Sequence, residues 1–303
     1  MSASYPTRVT IVEVGPRDGL QNERAVIPTD RKIAFVDQLS AAGHSAIEVT
    51  AFVSPKWVPQ MADASEVFRG IARQPNVRYS ALVPNRAGLD RAIAAGVTDI
   101  AVFAAASETF SRRNINQTIE ESFTTYRQVT DAAAQASLRT RAYLSTSFGC
   151  PFEGPVDPER VTHLAERLLE LGAYEIAISD TIGIAHPGQV RQVLDTLLAH
   201  VPLAHLALHF HDTRGTALAN VLVALEYGVA TFDSSAGGLG GCPYAPGAAG
   251  NLATEDLVYM LDGLGIQSGV SGDRVMRASL SVEELLGHPL PSRWVQAQRT
   301  ATG

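Results

Sequence analysis

The chain has 303 residues, 46% of them hydrophobic, and its 24 Lys and Arg stand against 31 Asp and Glu for a net charge of −7. That length and apolar content allow one barrel-sized core, while the acidic balance and the lack of any long Lys/Arg run exclude a nucleic-acid partner. No apolar stretch is long enough to cross a membrane, and two cysteines, Cys150 and Cys242, make no disulfide framework.

Short apolar runs alternate with longer periodic segments from end to end. A strand at Val9–Val14 precedes a helix from about Pro28 to Ala42, and Ser45–Ala51 precedes Ala62–Arg73. Val77–Val83 leads to Ala87–Ala95, and Thr98–Ala104 leads through a long loop to a helix from about Gln117 to Ala136. Arg139–Ser147 is followed by Pro158–Leu171, Tyr174–Ser179 by Pro187–His200, and Ala204–Phe210 by Gly215–Tyr227. Val229–Ser234 is the eighth strand, followed by a glycine-rich stretch and the helix Thr254–Gly263, with one further helix around Ser281–Leu286. Gly43, Gly96, Gly172 and Gly228 close helices, because glycine enters the left-handed conformation of the C′ position at no steric cost. Parallel strands need crossover helices, so eight strand–helix units predict a closed (β/α)8 TIM barrel. It is expected as a single catalytic domain over 1–303, with the barrel at about 8–265 and extra C-terminal helices at about 266–303. An open doubly wound sheet is the competing architecture, but no Gly-x-Gly-x-x-Gly turn follows the first strand.

Three stretches carry the chemistry. In His209-Phe210-His211-Asp212-Thr213-Arg214-Gly215, strand alternation puts both imidazoles on one side and Phe210 on the other, either half of a divalent-metal site or simply a hydrogen-bonded pair. Asp18 follows Arg17 where the first strand ends and supplies the carboxylate a hard cation wants. The run from Gly237 to Asn251 is too rich in glycine for a helix or strand, and reads as a mobile loop bearing the thiol of Cys242 and the amide of Asn251. In a TIM barrel the active site lies at the C-terminal ends of the strands. Arg17, Asp18, Glu48, Asp180, His209, His211, Cys242 and Asn251 therefore converge on one rim. The pair Arg112-Arg113 is either a solvated surface pair or the place where an anionic small ligand is met.

These motifs, together with Ile47-Glu48-Val49-Thr50, Asn114-Ile115-Asn116, Ser179-Asp180-Thr181-Ile182-Gly183 and Gly-Leu-Gly-Gly-Cys-Pro-Tyr-Ala ending at Ala245, resemble the hydroxymethylglutaryl-CoA lyase family. That family belongs to the metal-dependent lyases and acyl transferases built on a TIM barrel, and the resemblance runs from about Val9 to Val270. It implies cleavage of 3-hydroxy-3-methylglutaryl-CoA to acetoacetate and acetyl-CoA, as in leucine degradation and ketone-body formation. It also implies Asp18, His209, His211 and Asn251 as ligands of Mg²⁺ or Mn²⁺, although an N-cap or loop brace is the competing role for Asn251. Arg17 would hold the developing enolate oxygen, and Cys242 would protonate the acetyl-CoA carbanion. Asp180 and Glu48 either take the hydroxyl proton or pin Arg17, and His209 is a further candidate proton carrier. Arg112, Asn114 and Asn116 are candidates to touch the CoA, whereas Cys150 is assigned to wall packing. A homodimer, an acyl-CoA substrate and a cytoplasmic location complete the expectation, with no secretory signal, transit peptide or peroxisomal tripeptide read at either end.

Two departures bear on the substrate. Arg214 stands where the family commonly has Tyr, and Pro246 stands where Gln is frequent. A lyase for citramalyl-CoA or a longer branched 3-hydroxyglutaryl-CoA is the first alternative, with Arg214 either selecting another acyl tail or pointing outward. Acyl transfer in the reverse direction is the second. It is disfavoured by the short stretch beyond the barrel, which leaves no room for a regulatory domain. A non-catalytic metal- or CoA-binding scaffold is the third.

Overall fold

The computed structural model describes residues 5–241 and 250–301. Eight parallel strands close on themselves in sequence order, with the last paired to the first. They are β1 (Thr10–Glu13), β2 (Ala46–Ala51), β3 (Arg78–Leu82), β4 (Asp99–Ala105), β5 (Arg139–Ser145), β6 (Ala173–Asp180), β7 (Leu206–Phe210) and β8 (Thr231–Ser234). Around them lie α1 (Thr29–Ala41), α2 (Ala64–Gly70), α3 (Arg86–Ala94), α4 (Glu108–Ile115), α5 (Ile119–Gln135), α6 (Pro158–Glu170), α7 (Pro187–Leu197), α8 (Ala217–Glu226) and α9 (Thr254–Gly263). Two further helices, α10 (Gly272–Leu286) and α11 (Arg293–Ala301), pack against α9, and α10 also covers α1.

Local chemistry explains most of these boundaries. Helix α5 opens with a reciprocal capping box between Thr118 and Glu121. Asp157 caps α6 ahead of Pro158, whose missing N–H costs nothing at the first helical position. The four predicted closing glycines all have positive φ, from 80° at Gly96 to 103° at Gly43.

The structure differs from the sequence reading in three places. The long loop expected after the fourth strand is interrupted by α4, which Ser107 caps by accepting from the Phe110 N–H and Asn116 ends in the left-handed conformation. The extra helix expected around Ser281–Leu286 is the second half of α10, and α11 falls within the C-terminal helices expected over about 266–303, for which the sequence sets no separate bounds. The residues after β1 form a π-helical turn, Gly15–Gly19, which swings Arg17 inward and leaves it buried.

Alternation along the strands sorts the molecule into two cores. Ile100, Val102 and Ala104 of β4, Ile176 and Ile178 of β6, and Leu206, Leu208 and Phe210 of β7 face outward into the main apolar layer beneath the helices. The opposite faces line the barrel interior with the small cluster Ala101, Tyr143, Ala177 and Ala207. Branched aliphatics usually fill that space. Here the alanines leave room for the charged side chains of Glu48, Arg141, Glu175 and Asp233, all buried.

Candidate active site

Among the described residues, the C-terminal rim brings together Arg17, Asp18, His209, His211 and Asn251. His209, next to last in β7, faces inward and His211 follows two positions later, their ring centroids 5.2 Å apart. Phe210 points away and packs against Phe148, as alternation requires. Asp18 arrives from the turn after β1. One ligand atom from each of Asp18, His209 and His211 lies within 4.8 Å of the others. Asn251 pairs with His211 through an isolated antiparallel bridge, and its Nδ2 donates to Asp18 Oδ2 at 2.8 Å and to the Leu239 carbonyl at 3.1 Å.

Two atoms of this cluster, Asn251 Oδ1 and His211 Nδ1, are buried and have no hydrogen-bond partner among the described residues. An orphaned buried acceptor is costly unless something absent from the polypeptide satisfies it. A carboxylate, a carboxamide oxygen and two imidazoles form a donor set that suits a divalent cation such as Mg²⁺ or Mn²⁺. Electrostatics agree with that fit. Burial pushes the Asp18 carboxyl up, but the Arg17 guanidinium and both imidazoles pull it further down, so it lies well below the usual carboxylate range. Burial and the neighbouring His209 lower His211 to about 4, so its ring is neutral at pH 7 and has a lone pair to offer.

Arg17 is held from two sides. Its Nε donates to Glu48 Oε2 at 2.6 Å and its Nη1 to Asp18 Oδ1 at 2.5 Å. Tyr143 also donates to Glu48 Oε2, at 2.9 Å, and its ring lies 5.2 Å from the Arg17 guanidinium carbon. Of the two roles open to Glu48, the contacts favour the pin. Asp180 is likewise engaged, accepting the Ile184 and Ala185 N–H groups at 3.0 and 2.9 Å, and burial raises its carboxyl to about 6.

Four interior residues were not singled out in the sequence: Arg141, Tyr143, Glu175 and Asp233. Arg141 donates through Nε to Glu175 and through Nη1 and Nη2 to Asp233, which lies 3.2 Å from His209 Nδ1. The signal was present as charged residues at alternate positions of predicted strands. A single charge in a strand pattern does not reveal which way it faces.

Arg112, Asn114 and Asn116 are exposed on or just after α4, which follows β4 at the C-terminal rim. Cys150 is buried with Ala105 and Phe110, its sulfur 2.9 Å from Ser107 Oγ, as wall packing requires. Arg214 is exposed and donates to the Ile182 and Gly183 carbonyls, so its charge braces the loop after β6 and does not reach toward Asp18. Cys242 lies outside the described residues. The stem leading to it is tightly built: a β-carbon on Gly250 would collide with the carbonyl oxygens of Gly238 and Gly240.

Beneath that stem sit two buried carboxyls. Glu13 accepts from Gly15 N at 2.7 Å, Ala236 N at 2.9 Å and Thr254 Oγ1 at 2.8 Å, while Glu255 accepts from Gly237 N and Ser279 Oγ. Burial raises each to about 7. A carboxyl whose folded pKa exceeds its unfolded value near 4.5 adds stability that is full below pH 4.5 and is lost as pH rises through about 7. Thermal unfolding followed from pH 5 to 8 should therefore show stability falling, by about 1–3 kcal/mol for each group. Glu13→Gln should flatten that slope, and an unchanged slope in a folded Gln variant would contradict the assignment.

Residues 8–282 match the family model described as HMGL-like. The chain is 53% identical over 297 residues to the hydroxymethylglutaryl-CoA lyase YngG of Bacillus subtilis, spanning 98% of this chain and 99% of that one. A crystal structure of hydroxymethylglutaryl-CoA lyase from Pseudomonas aeruginosa superposes with a TM-score of 0.96 at 49% identity, covering 98% of this chain and 99% of that chain. An HMG-CoA lyase from A. baumannii, solved with coenzyme A and 3-methylmalate, superposes with a TM-score of 0.92 at 41% identity, covering 96% and 95% of the two chains.

Proposed function

The chain belongs to the HMGL-like family, and from that premise we propose that it cleaves (S)-3-hydroxy-3-methylglutaryl-CoA to acetoacetate and acetyl-CoA. The observation that carries the reading is the meeting of Asp18, His209 and His211 within ligand distance of one another, beside the buried cation of Arg17 and the orphaned Asn251 Oδ1. Relatives about 50% identical over nearly the full chain bear the same name. The reading extends to a cytoplasmic homodimer, with the whole chain acting as one catalytic unit in leucine catabolism or ketone-body formation.

In this reaction the 3-hydroxyl loses its proton as the C2–C3 bond breaks, and the electron pair flows onto the thioester carbonyl as an enolate. A bound Mg²⁺ or Mn²⁺, held by Asp18, His209, His211 and Asn251, would lower the pKa of the substrate hydroxyl. Arg17 would stabilise the enolate oxygen. Its Nε and Nη1 are committed to Glu48 and Asp18, and among the described residues Nη2 has no hydrogen-bond partner, so a donor remains for the substrate. Preorganisation by Glu48 and Tyr143 means that this cation need not reorient as charge develops. Asp180, near neutrality at about 6, is the proposed acceptor of the hydroxyl proton. Cys242, on the glycine-rich stretch, is the proposed donor to the carbanion. The exposed Arg112, Asn114 and Asn116 on the same rim are suited to the polar portion of CoA. With Arg214 turned to backbone carbonyls, the feature that raised citramalyl-CoA as a substrate no longer favours it.

Acetyl-CoA and acetoacetate should appear in equal amounts when hydroxymethylglutaryl-CoA is given to chelator-stripped protein with Mg²⁺ or Mn²⁺, and not without metal. Metal binding with no product would retire the substrate assignment while leaving the site.

A further inference from the structure

The buried charges inside the barrel hold a feature that the lyase reading does not use. Asp233 of β8 and His209 of β7 are register partners across neighbouring parallel strands, and Arg141 of β5 and Glu175 of β6 are partners in the same way. Because paired residues on adjacent strands face the same side of the sheet, these four side chains meet inside the barrel. The Arg141 guanidinium grips Asp233 with both terminal nitrogens, Nη2 to Oδ1 at 2.7 Å and Nη1 to Oδ2 at 3.1 Å, while its Nε donates to Glu175 Oε1 at 2.7 Å. Asp233 Oδ2 is thus shared between Arg141 and His209 Nδ1, which lies 3.2 Å away. Arg141 and Asp233 are 3% and 1% exposed.

We propose that Asp233, clamped by Arg141, is a positioning residue that fixes the tautomer and ring plane of His209, keeping the proton on Nδ1 and presenting Nε2 as the ligating nitrogen. This inference rests on the metal reading given under Proposed function. A carboxylate gripped bidentately by a guanidinium accepts hydrogen bonds and cannot donate them. The nitrogen facing it must therefore carry hydrogen, and the lone pair is forced to Nε2. Neutral imidazole otherwise divides between two tautomers, only one of which can ligate from this ring position. Carboxylate partners of ligating histidines also raise ligand basicity.

The clamp is stiffened from the side. The Tyr143 ring lies 5.1 Å from the Arg141 guanidinium carbon and 5.2 Å from that of Arg17, and meets the His209 ring edge-on at 6.1 Å. Tyr143 also donates to Glu48, so one continuous set of contacts links the residue that pins Arg17 to the residue that orients His209. One consequence concerns the reaction: with Nδ1–H given to Asp233 and Nε2 to the metal, His209 has no nitrogen left to carry a proton.

The test is a Mn²⁺ titration followed by electron paramagnetic resonance on the chelator-stripped full chain, comparing wild type with Asp233→Asn. Loss of the carboxylate charge should weaken Mn²⁺ binding about 10–100-fold, with partial recovery in Asp233→Glu. Histidine ¹⁵N spectra of the wild-type, Mg²⁺-loaded protein, with His209→Ala for assignment, should show the His209 proton on Nδ1. A folded Asp233→Asn protein that binds Mn²⁺ within twofold of wild type would overturn the proposal, as would a His209 proton found on Nε2. Should Asp233→Asn fail to fold, the wild-type spectrum still decides. Failure of the wild type to bind Mn²⁺ would bring down the metal reading itself, whereas unchanged affinity in the variant removes only this inference.

Discussion

Arg17→Gln is expected to lower kcat by about 10²–10³-fold, the usual effect of removing one preorganised donor to an oxyanion. The expectation follows from how little else Arg17 can be for. It is 4% exposed, and Glu48 and Asp18 hold its Nε and Nη1 at 2.6 and 2.5 Å. Glutamine keeps a donor for one of those carboxylates but carries no charge, so the variant tests the charge with least damage to the shell. Alanine is the poorer test. It removes the hydrogen-bond donor to buried Glu48 as well as the charge, and stranding one partner of a buried pair costs about 3–5 kcal/mol, so lost activity and lost folding would be confounded. Arg17→Lys restores charge but not the fork that spans two carboxylates, and should recover only part of the rate. Steady-state kinetics should show kcat falling far more than KM changes, because the contact strengthens as the enolate forms. A Gln variant with an unchanged melting temperature and kcat within tenfold of wild type would remove Arg17 from this role.

Deleting a ligand should act more severely still. Asp18→Ala and His211→Ala are each expected to abolish metal-dependent product formation and the metal-induced rise in melting temperature. Saturating metal stabilises the wild type by mass action, about 2.7 kcal/mol at a hundredfold excess over Kd. A variant that cannot bind gains none of it. The two variants differ in their metal-free behaviour. His211 is neutral when folded, lowered to about 4 by burial, so its removal relieves a desolvated ring and disturbs no ion pair. Asp18, held well below the usual carboxylate range, is ionised against Arg17, and its removal frees that guanidinium to lean wholly on Glu48. Calorimetric scans with and without Mn²⁺ separate these contributions. Retention of a full metal-induced shift in either variant would show that the cation binds elsewhere.

The barrel was legible because each of its causes is local. Alternating apolar runs mark strands, 3.6-residue periodicity marks helices, and glycines at Gly43, Gly96, Gly172 and Gly228 mark where helices must turn. Helix α4 was missed for a local reason as well. Its sequence, Glu108–Ile115, is polar enough to read as loop, and the cap at Ser107 with Glu108 in the first turn was the available sign. Among the candidate site residues, Asp18, His209, His211 and Asn251 were legible because each belongs to a recognisable motif whose residue type suggests its chemistry.

Sequence alone, then, determined the closed parallel barrel, the rim that carries the candidate site and the residue types proposed to hold a divalent cation, because periodicity and ligand type are properties of short segments. Only the tertiary structure decided what those residues lean on. That Glu48 pins Arg17, that Arg214 turns to the carbonyls of the β6 loop, and that Asp233 reaches His209 while clamped by Arg141 all depend on contacts between residues as much as 92 positions apart. Such contacts arise from the register of eight strands closing on themselves. The energy of a buried charge is set by the partner it meets there, and no local pattern names that partner.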